Sequence, residues 1–560
     1  MTNASISDIF DLLSKIMDIH GENSFKSKSY SSAAFRLEKL GQPLAEMSQE
    51  EINSISGIGE AITKKITEIL TTGRLALLEE YIMKTPPGVI DMLSVKGIGP
   101  KKIALLWKEL GLESIGELEY ACNENRLVSL KGFGAKTQES ILNSIAFIRN
   151  NQGFFLWAEA EGTGLKIQEA LSAHFPGKQV LPAGLYLRQF PTLQSIEFVT
   201  DIQAEDLKTY FATRETALFT EEAGLLTITA AGTPALSFYI TNTENLQATV
   251  FRNSCSAEFL EAFNSKYTIA ETITTEAELF SVNQLAYIPA PLRESAAMLD
   301  KAVQHNVPEL IQVKDIRGII HAHSTWSDGI NTLEAMAKAA QAKGFEYLVI
   351  SDHSQTAVYA GGLKPEQIIA QHQEIDELNQ QLAPFRIFKS IESDILGDGS
   401  LDYAPEVLAS FDLVIASVHS NLKMKEDKAM QRLLAAVRNP YTTILGHPTG
   451  RLLLSRDSYP VNYKELIDAC VEHKVVIEIN AHPRRLDLDW AWIGYALDKG
   501  AMLSIDPDAH SIEGMDVIKY GVLAAQKGGL TPLQNLSSRT LQEMESFIAA
   551  KKGVLSASVY

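Results

Sequence analysis

The sequence predicts a multidomain chain of α/β plus α class, with an all-α front and a rear of βα repeats that closes, or nearly closes, a parallel sheet. Two patterns carry this. In the first 150 residues a Gly-hydrophobic-Gly turn opens a helix-length run three times. Between residues 319 and 510 a short, β-branched apolar run ends seven times directly in a histidine or an acid, with amphipathic segments such as Thr332 to Lys343 between the runs. Short Val/Ile-rich runs alternating with helical patterns read as buried parallel strands with crossover helices. At 560 residues and 45% hydrophobic content, the chain is long enough for three or four domains with real cores.

Composition narrows the class. The three cysteines, Cys122, Cys255 and Cys470, are far apart and have no metal or redox spacing, which suits a reducing cytoplasm. Met1 to Phe10 has no basic stretch followed by an apolar core, and no run approaches the ~20 residues of a membrane span, so a soluble cytoplasmic protein without membrane contact is expected. The net charge of −19 argues against broad nonspecific adhesion to nucleic acid and leaves room for a local binding surface.

The front turns are Ser56-Gly57-Ile58-Gly59 before Glu60 to Leu70, Lys96-Gly97-Ile98-Gly99 before Pro100 to Leu110, and Lys131-Gly132-Phe133-Gly134 before Ala135 to Ile148. One such turn only makes a tight helix connection. Repeated at the start of helices, it exposes backbone N–H groups at the positive end of a helix dipole, a ready phosphate site. Lys101 and Lys102 follow in the second copy and Lys136 in the third, and residues 96 to 150 carry eight Lys/Arg against six Asp/Glu. This is the helix-hairpin-helix pattern, which binds DNA through phosphates and without sequence preference.

Residues 151 to 290 differ in charge, with sixteen acids and seven bases, a net −9. A surface that tracks a nucleic-acid backbone would be basic. Behind them come the seven strand ends: Gly-Ile-Ile-His321-Ala-His323, Ser351-Asp352-His353, Ile391-Glu392, Ser-Val-His419, Leu-Gly-His447, Asn-Ala-His482 and Asp506-Pro-Asp508-Ala-His510. A lone histidine after a strand is usually a hydrogen-bonded structural residue. Seven strand ends in agreement are not, because barrels place their chemistry at the C-terminal strand ends. Converging imidazoles and carboxylates there require cations among them, and a His/Asp/Glu set without Cys suits Zn, Mn or Fe.

His321, His323, Asp328, His353, Glu392, His419, His447, Asp508 and His510 resemble, in order, the metal ligands of the PHP (polymerase and histidinol phosphatase) domain. The resemblance implies a distorted (β/α)7 barrel with two or three divalent ions, Mn or Zn. It implies one ion on His321, His323, Glu392 and Asp508, a second bridged by Glu392 to His419 and His447, and a third on Asp328, His353 and His510. Glu392 and Asp508 would take the catalytic roles with Arg451; Arg484 and Arg485 are further candidates for gripping phosphate. His482 is left out of the ligand set, as a residue that supports the ligands from behind or is structural.

Residues 1 to 150 resemble the lyase-like and fingers subdomains of DNA polymerase family X, and Tyr287 to Glu294 resembles the exit into PHP in its bacterial PolX-type members. The resemblance divides the chain into a lyase-like domain (1–90), a fingers-like region (91–150), an α+β nucleotidyltransferase palm and thumb (151–290), a linker (291–315) and the PHP domain (316–560). Lys65 aligns with the family's Schiff-base lysine, but its usual companions stand here as Ala61, Ser31 and Phe35, so DNA binding is expected there and lyase activity is not. In the palm, Ala183-Gly184-Leu-Tyr-Leu187-Arg188 and Ser195-Ile196-Glu197 replace the Gly-Ser turn, the paired arginines and the Asp-x-Asp. Residues 223 to 243 hold no acid for the third position, and a rearranged pair of Glu197 and Asp201 is the weaker alternative. The expectation is a DNA phosphoesterase, 3′-5′ exonucleolytic in repair, with an inactive palm. A working family X polymerase, a histidinol-phosphatase-like enzyme for small phosphomonoesters, and a DNA-binding scaffold with structural metals are the alternatives.

Overall fold

The structure is a computed structural model describing residues 1–558 apart from 124–125, 128–129, 131, 213–216 and 231–232. The chain divides into two compact units, Met1–Gln152 and Gly153–Tyr560. No helix among the described residues is long and apolar enough to cross a membrane.

The first unit is helical. The three predicted hairpin helices run Glu60–Thr72, Pro100–Leu110 and Ala135–Asn151. Gly57, Gly97 and Gly132 each adopt a left-handed backbone, at φ 81, 96 and 90°. Gly59, Gly99 and Gly134 then sit as extended N-caps at φ −97, −96 and −96°. A side chain at the first position of each turn would be strained, which is why glycine stands there three times. Ile58, Ile98 and Phe133, the residues between the glycines, are buried. Lys131 lies outside the described residues.

The second unit begins with a five-stranded sheet: β1 (Val180–Pro182), β2 (Ser195–Thr200), β3 (Leu218–Glu222), β4 (Leu225–Thr229) and β5 (Ala235–Ile240), in the order β1-β2-β5-β4-β3. Only β2 and β5 pair in parallel; Ser195 stands opposite Ala235 and Glu197 opposite Ser237. Helices Leu246–Asn253, Ala257–Lys266 and Glu276–Val282 follow. Phe251, Phe259, Phe263 and Phe280 form their core. The fully buried Arg293 enters it and pairs with Glu276 at 2.6 Å. Next to it, Glu294 accepts hydrogen bonds from Arg188 of the sheet domain and from the buried Lys527 of helix Ile518–Lys527.

Seven parallel strands then follow in sequence order: β6 (Gly318–Ala322), β7 (Tyr347–Ile350), β8 (Arg386–Asp394), β9 (Leu413–Ser417), β10 (Ile444–Leu445), β11 (Val476–Asn480) and β12 (Leu503–Asp506). A parallel bridge between Ala322 and Ala509 joins the first strand to the end of the last. The predicted helix after β6 is Leu333–Ala342, N-capped by Thr332. Alternation sets the interior in layers. Ile320, Tyr347, Val349, Phe388, Leu413, Ile415, Ile444 and Val476 share one apolar cluster with Leu536, Met544 and Ile548 from the C-terminal segment. Two residues beyond Phe388, Leu413 and Val476 the same faces carry Ser390, Ile415 and Glu478; one more step brings Glu392, Ser417 and Asn480. The bore therefore turns from apolar to polar toward the C-terminal strand ends.

Candidate metal centre

Strand period alone does not put every ligand in the mouth. On β6, Ile320 belongs to the bore while Ile319 and Ala322 pack outward with the helices, so plain alternation would turn His321 away from the interior. The register with β7 is irregular between Ile319 and Ala322, and His321 adopts φ 61°. That bulge turns its imidazole into the mouth. His447 and Asp508 also have left-handed backbones, at φ 22 and 54°. Three of the nine predicted ligands thus sit in a conformation that non-glycine residues rarely adopt, the kind of strain that gathers at functional sites.

All nine predicted residues come together. Glu392 is the centre: its Oε1 lies 3.0 Å from His447 Nε2, 3.1 Å from His419 Nε2 and 3.3 Å from His321 Nε2. Its Oε2 lies 3.0 Å from His353 Nδ1 and 3.7 Å from His323 Nε2. Asp508 Oδ1 is 3.2 Å from His323 Nε2 and 3.5 Å from His321 Nε2. Asp328 Oδ1 is 3.4 Å from His510 Nε2 and 3.6 Å from His353 Nε2. Three ligand groups result: His321, His323 and Asp508; His353, Glu392 and His419; and His323, Asp328, His353 and His510. The implied third set gains His323, the first lacks Glu392, and the second has His353 in place of the expected His447, which meets the cluster through Glu392 Oε1; His323 and His353 each face two sets at once. His482 stays apart, its Nδ1 accepting from the Arg484 backbone N–H.

These residues fit divalent cations. Two ligand atoms each about 2.1 Å from one ion stand roughly 3.4 Å apart in tetrahedral geometry, which matches the separations above. His321 Nε2, His323 Nδ1 and Nε2, His353 Nδ1, Glu392 Oε2 and His447 Nδ1 are buried and have no hydrogen-bond partner, a costly condition without an ion to ligate. The electrostatics agree. Burial alone would lower the His321 imidazole, yet Glu478, Asp508 and Glu392 hold it well above its usual value. Against the same burial, Glu392 and Asp394 raise His419 to about 10, and Asp328 and Asp508 raise His510 to about 9. His323, flanked by His510 and His353 rather than by enough acid, is lowered to about 3, chiefly by burial. The carboxylates call for positive charge at several points of the mouth.

Two acids that orient the ligands escape notice in the sequence. Glu478 Oε1 lies 2.5 Å from His321 Nδ1, and its Oε2 accepts the His447 backbone N–H. Asp394 Oδ1 lies 2.5 Å from His419 Nδ1. Such carboxylates fix the tautomer and raise the basicity of the ligating nitrogen. Their one signal is an acid inside a β-branched run, at the same parity as the bore.

The expectation that Arg451 grips phosphate is corrected. Its guanidinium donates to Asp489 and to the carbonyls of Arg485 (2.8 Å) and Leu486, so it holds loops together. Arg484 faces Glu159 at 3.5 Å. Arg485 is the arginine at the cluster, its Nε 3.5 Å from Asp508 Oδ2.

At the front, no side chain caps any of the three hairpin helices, whereas Thr2, Asn23 and Ser48 cap others in the same unit. The first turns thus keep backbone N–H groups for an external acceptor. Lys101 and Lys136 are exposed. Lys102 turns back to the Gly97 carbonyl at 3.3 Å and over the Phe133 ring at 5.2 Å. Arg36, from another helix, donates to the Ser56 carbonyl and lies across Gly57, so the first turn has a cation that local sequence does not reveal.

A parallel seven-stranded barrel with a His/carboxylate cluster at its C-terminal mouth, behind uncapped helix-hairpin-helix turns, defines a metal-binding hydrolase of the PHP class fused to a DNA-polymerase-type front. Residues 1–75 match the helix-hairpin-helix domain family, 89–146 the SAM-like helix-hairpin-helix tandem and 320–482 the PHP domain. The chain is 33% identical to "DNA polymerase/3'-5' exonuclease PolX" of Bacillus subtilis over 97% of this chain and 99% of that protein. It belongs to the PolX-type DNA polymerase family X with a C-terminal PHP domain. Over 34% of its length it is also 27% identical to a "Probable phosphatase" of Caldanaerobacter subterraneus and 28% identical to "Probable phosphatase YcdX" of Escherichia coli, covering 74% of each.

Proposed function

We propose that the barrel hydrolyses DNA phosphodiesters from 3′ ends, as a 3′-5′ exonuclease in repair, and that the five-stranded domain no longer polymerises. The observation that carries the first half is the convergence of nine ligand-type side chains on one mouth in a chain whose full-length relative is named for that activity. His321, His323, Glu392 and Asp508 would hold one ion, Glu392, His419 and His447 a second, and Asp328, His353 and His510 a third, with Mn or Zn as the metal. Bound there, the ions would supply Lewis-acid activation of water and neutralise charge on the phosphate. The chain's own part is to orient the ligands through Glu478 and Asp394, to bring the Arg485 guanidinium toward a non-bridging phosphate oxygen, and to keep an apolar bore beneath the mouth that excludes water from below.

The similarity to probable phosphatases favours one alternative, a phosphomonoesterase. The two separate on a 5′-labelled oligonucleotide with added Mn or Zn, compared with free nucleotide monophosphates. Stepwise shortening from the 3′ end that stops with chelator is the expected result; release of phosphate from monoesters with no shortening would replace the proposal.

The hairpins would supply affinity by meeting phosphate alone. Lys101→Ala combined with Lys136→Ala is expected to weaken binding equally on unrelated duplexes, and to flatten the slope of log affinity against log salt by about 2, near one unit per lost contact. Fluorescence titration at several salt concentrations measures it. An unchanged slope would make the turns purely structural. Lyase activity is not proposed: the companions that would activate Lys65 stand here as Ala61, Ser31 and Phe35.

A further inference from the structure

The turn after β7 carries an exposed aromatic side chain at the edge of the metal cluster. Tyr359 is 72% exposed and Val358 81%, while Ala357 and Ala360 on either side are buried. The turn is firmly anchored. Ala357 N–H donates to Ser354 O at 3.0 Å and Leu363 N–H to His353 O at 2.8 Å. Thr356 Oγ1 donates to Asp394 Oδ2 at 2.8 Å, the same carboxylate that holds His419. Gly362 is packed so closely that a Cβ there would lie 1.8 Å from Ser354 O. The two large side chains therefore stay in water on a turn tied to the metal ligands, when burial would ordinarily be favoured.

The Tyr359 ring centroid lies 6.2 Å from that of His353, with the planes at 57°. With Tyr359 72% exposed, the ring stands open to solvent at the edge of the ligand set. A nucleobase lies one sugar away from the phosphodiester at which its nucleotide is cut, so a flat ring beside the ligand set suits the base of a terminal nucleotide, and stacking accepts all four bases.

We propose that Tyr359 is a positioning residue on which the 3′-terminal nucleobase of DNA stacks, a role that rests on the nuclease assignment above. Tyr359→Ala is then expected to raise KM for a single-stranded oligonucleotide roughly 5- to 150-fold, the range that base–aromatic stacking supports. kcat should change less. On the same oligonucleotide ending in an abasic tetrahydrofuran residue the variant should match wild type, and Tyr359→Phe should match wild type on both. A second readout needs no turnover: with EDTA present, a 3′-terminal 2-aminopurine should be quenched by wild type and Tyr359→Phe, and not by Tyr359→Ala. Equal losses on base-bearing and abasic ends, a Phe variant as slow as Ala, or an unaltered Ala variant would each overturn the role. If wild type cut neither end the nuclease assignment would fall, and the quenching would still decide whether a base stacks on Tyr359.

Discussion

Glu392→Ala is expected to empty the barrel mouth of metal and to lower 3′-end hydrolysis by about 10³-fold or more, with the fold retained. One carboxylate, 1% exposed, lies within 3.0 to 3.7 Å of five imidazole nitrogens, those of His321, His323, His353, His419 and His447. No other carboxylate among the described residues of the cluster faces so many imidazoles; Asp508 and Asp328 each face three. Its removal takes away the negative charge that would bridge two cations, and each electrostatic clamp of this kind is worth several kcal/mol to a transition state. The imidazoles left behind tolerate burial in their neutral form, so circular dichroism and thermal melting should stay near wild type. Glu478→Gln is the graded counterpart: it keeps shape and loses the charge behind His321 Nδ1, and should cost about 10- to 100-fold in metal affinity. Elemental analysis of both proteins, alongside the labelled-oligonucleotide assay, reads the two effects. Full metal content and full activity in Glu392→Ala would remove the cluster from the chemistry.

What the sequence shows of this site follows from which interactions are local. A strand ending in histidine is visible in one short window, and so is the Gly-x-Gly turn with its left-handed first glycine. The barrel strands and the hairpin helices could therefore be read from the sequence, while the company of nine ligands, Asp328 included and His482 left out, is what the resemblance to the PHP domain implies. Glu478 could not, since an acid within Val476–Asn480 looks like sheet polarity until His321 and the His447 backbone are seen on its two oxygens. Arg451 misled for the opposite reason. It is near His447 in sequence, yet its direction is set by Asp489 and the carbonyls of Arg485 and Leu486 on a segment more than thirty residues away. Arg36 and Tyr359 share this character. Each matters through where another part of the chain places it, and spacing carries no trace of that.

The second large effect is an absence: in a Glu392→Ala background, where exonuclease action cannot conceal extension, a primer-template with all four dNTPs and Mg or Mn should remain unextended. A working palm holds two divalent ions on three carboxylates. The β2–β5 pair offers Ser195, Glu197, Ala235 and Ser237 at the four facing positions, a single acid. That acid is engaged: Glu197 accepts the Leu185 backbone N–H at 2.6 Å and the Tyr239 hydroxyl at 3.1 Å, and burial raises it toward the neutral form. The Gly184 N–H, at the start of the short helix where a triphosphate would dock, donates to Ser254 Oγ at 3.0 Å. Arg188 pairs with Glu294, which Lys527 of the barrel shares, so its charge serves the join between domains and leaves none for a nucleotide. Asp201 is held by the Gln179 N–H and Thr243 at 2.8 Å each and gives Glu197 no partner. With the ion pair's electrostatic clamp missing, any residual rate should lie orders of magnitude below a working palm, at about tenfold per 1.4 kcal/mol lost. Gel resolution of the labelled primer after prolonged incubation is the measurement. Templated addition there would mean that a polymerase centre can be assembled from Glu197 and groups now engaged elsewhere, and the five-stranded domain would have to be counted as catalytic.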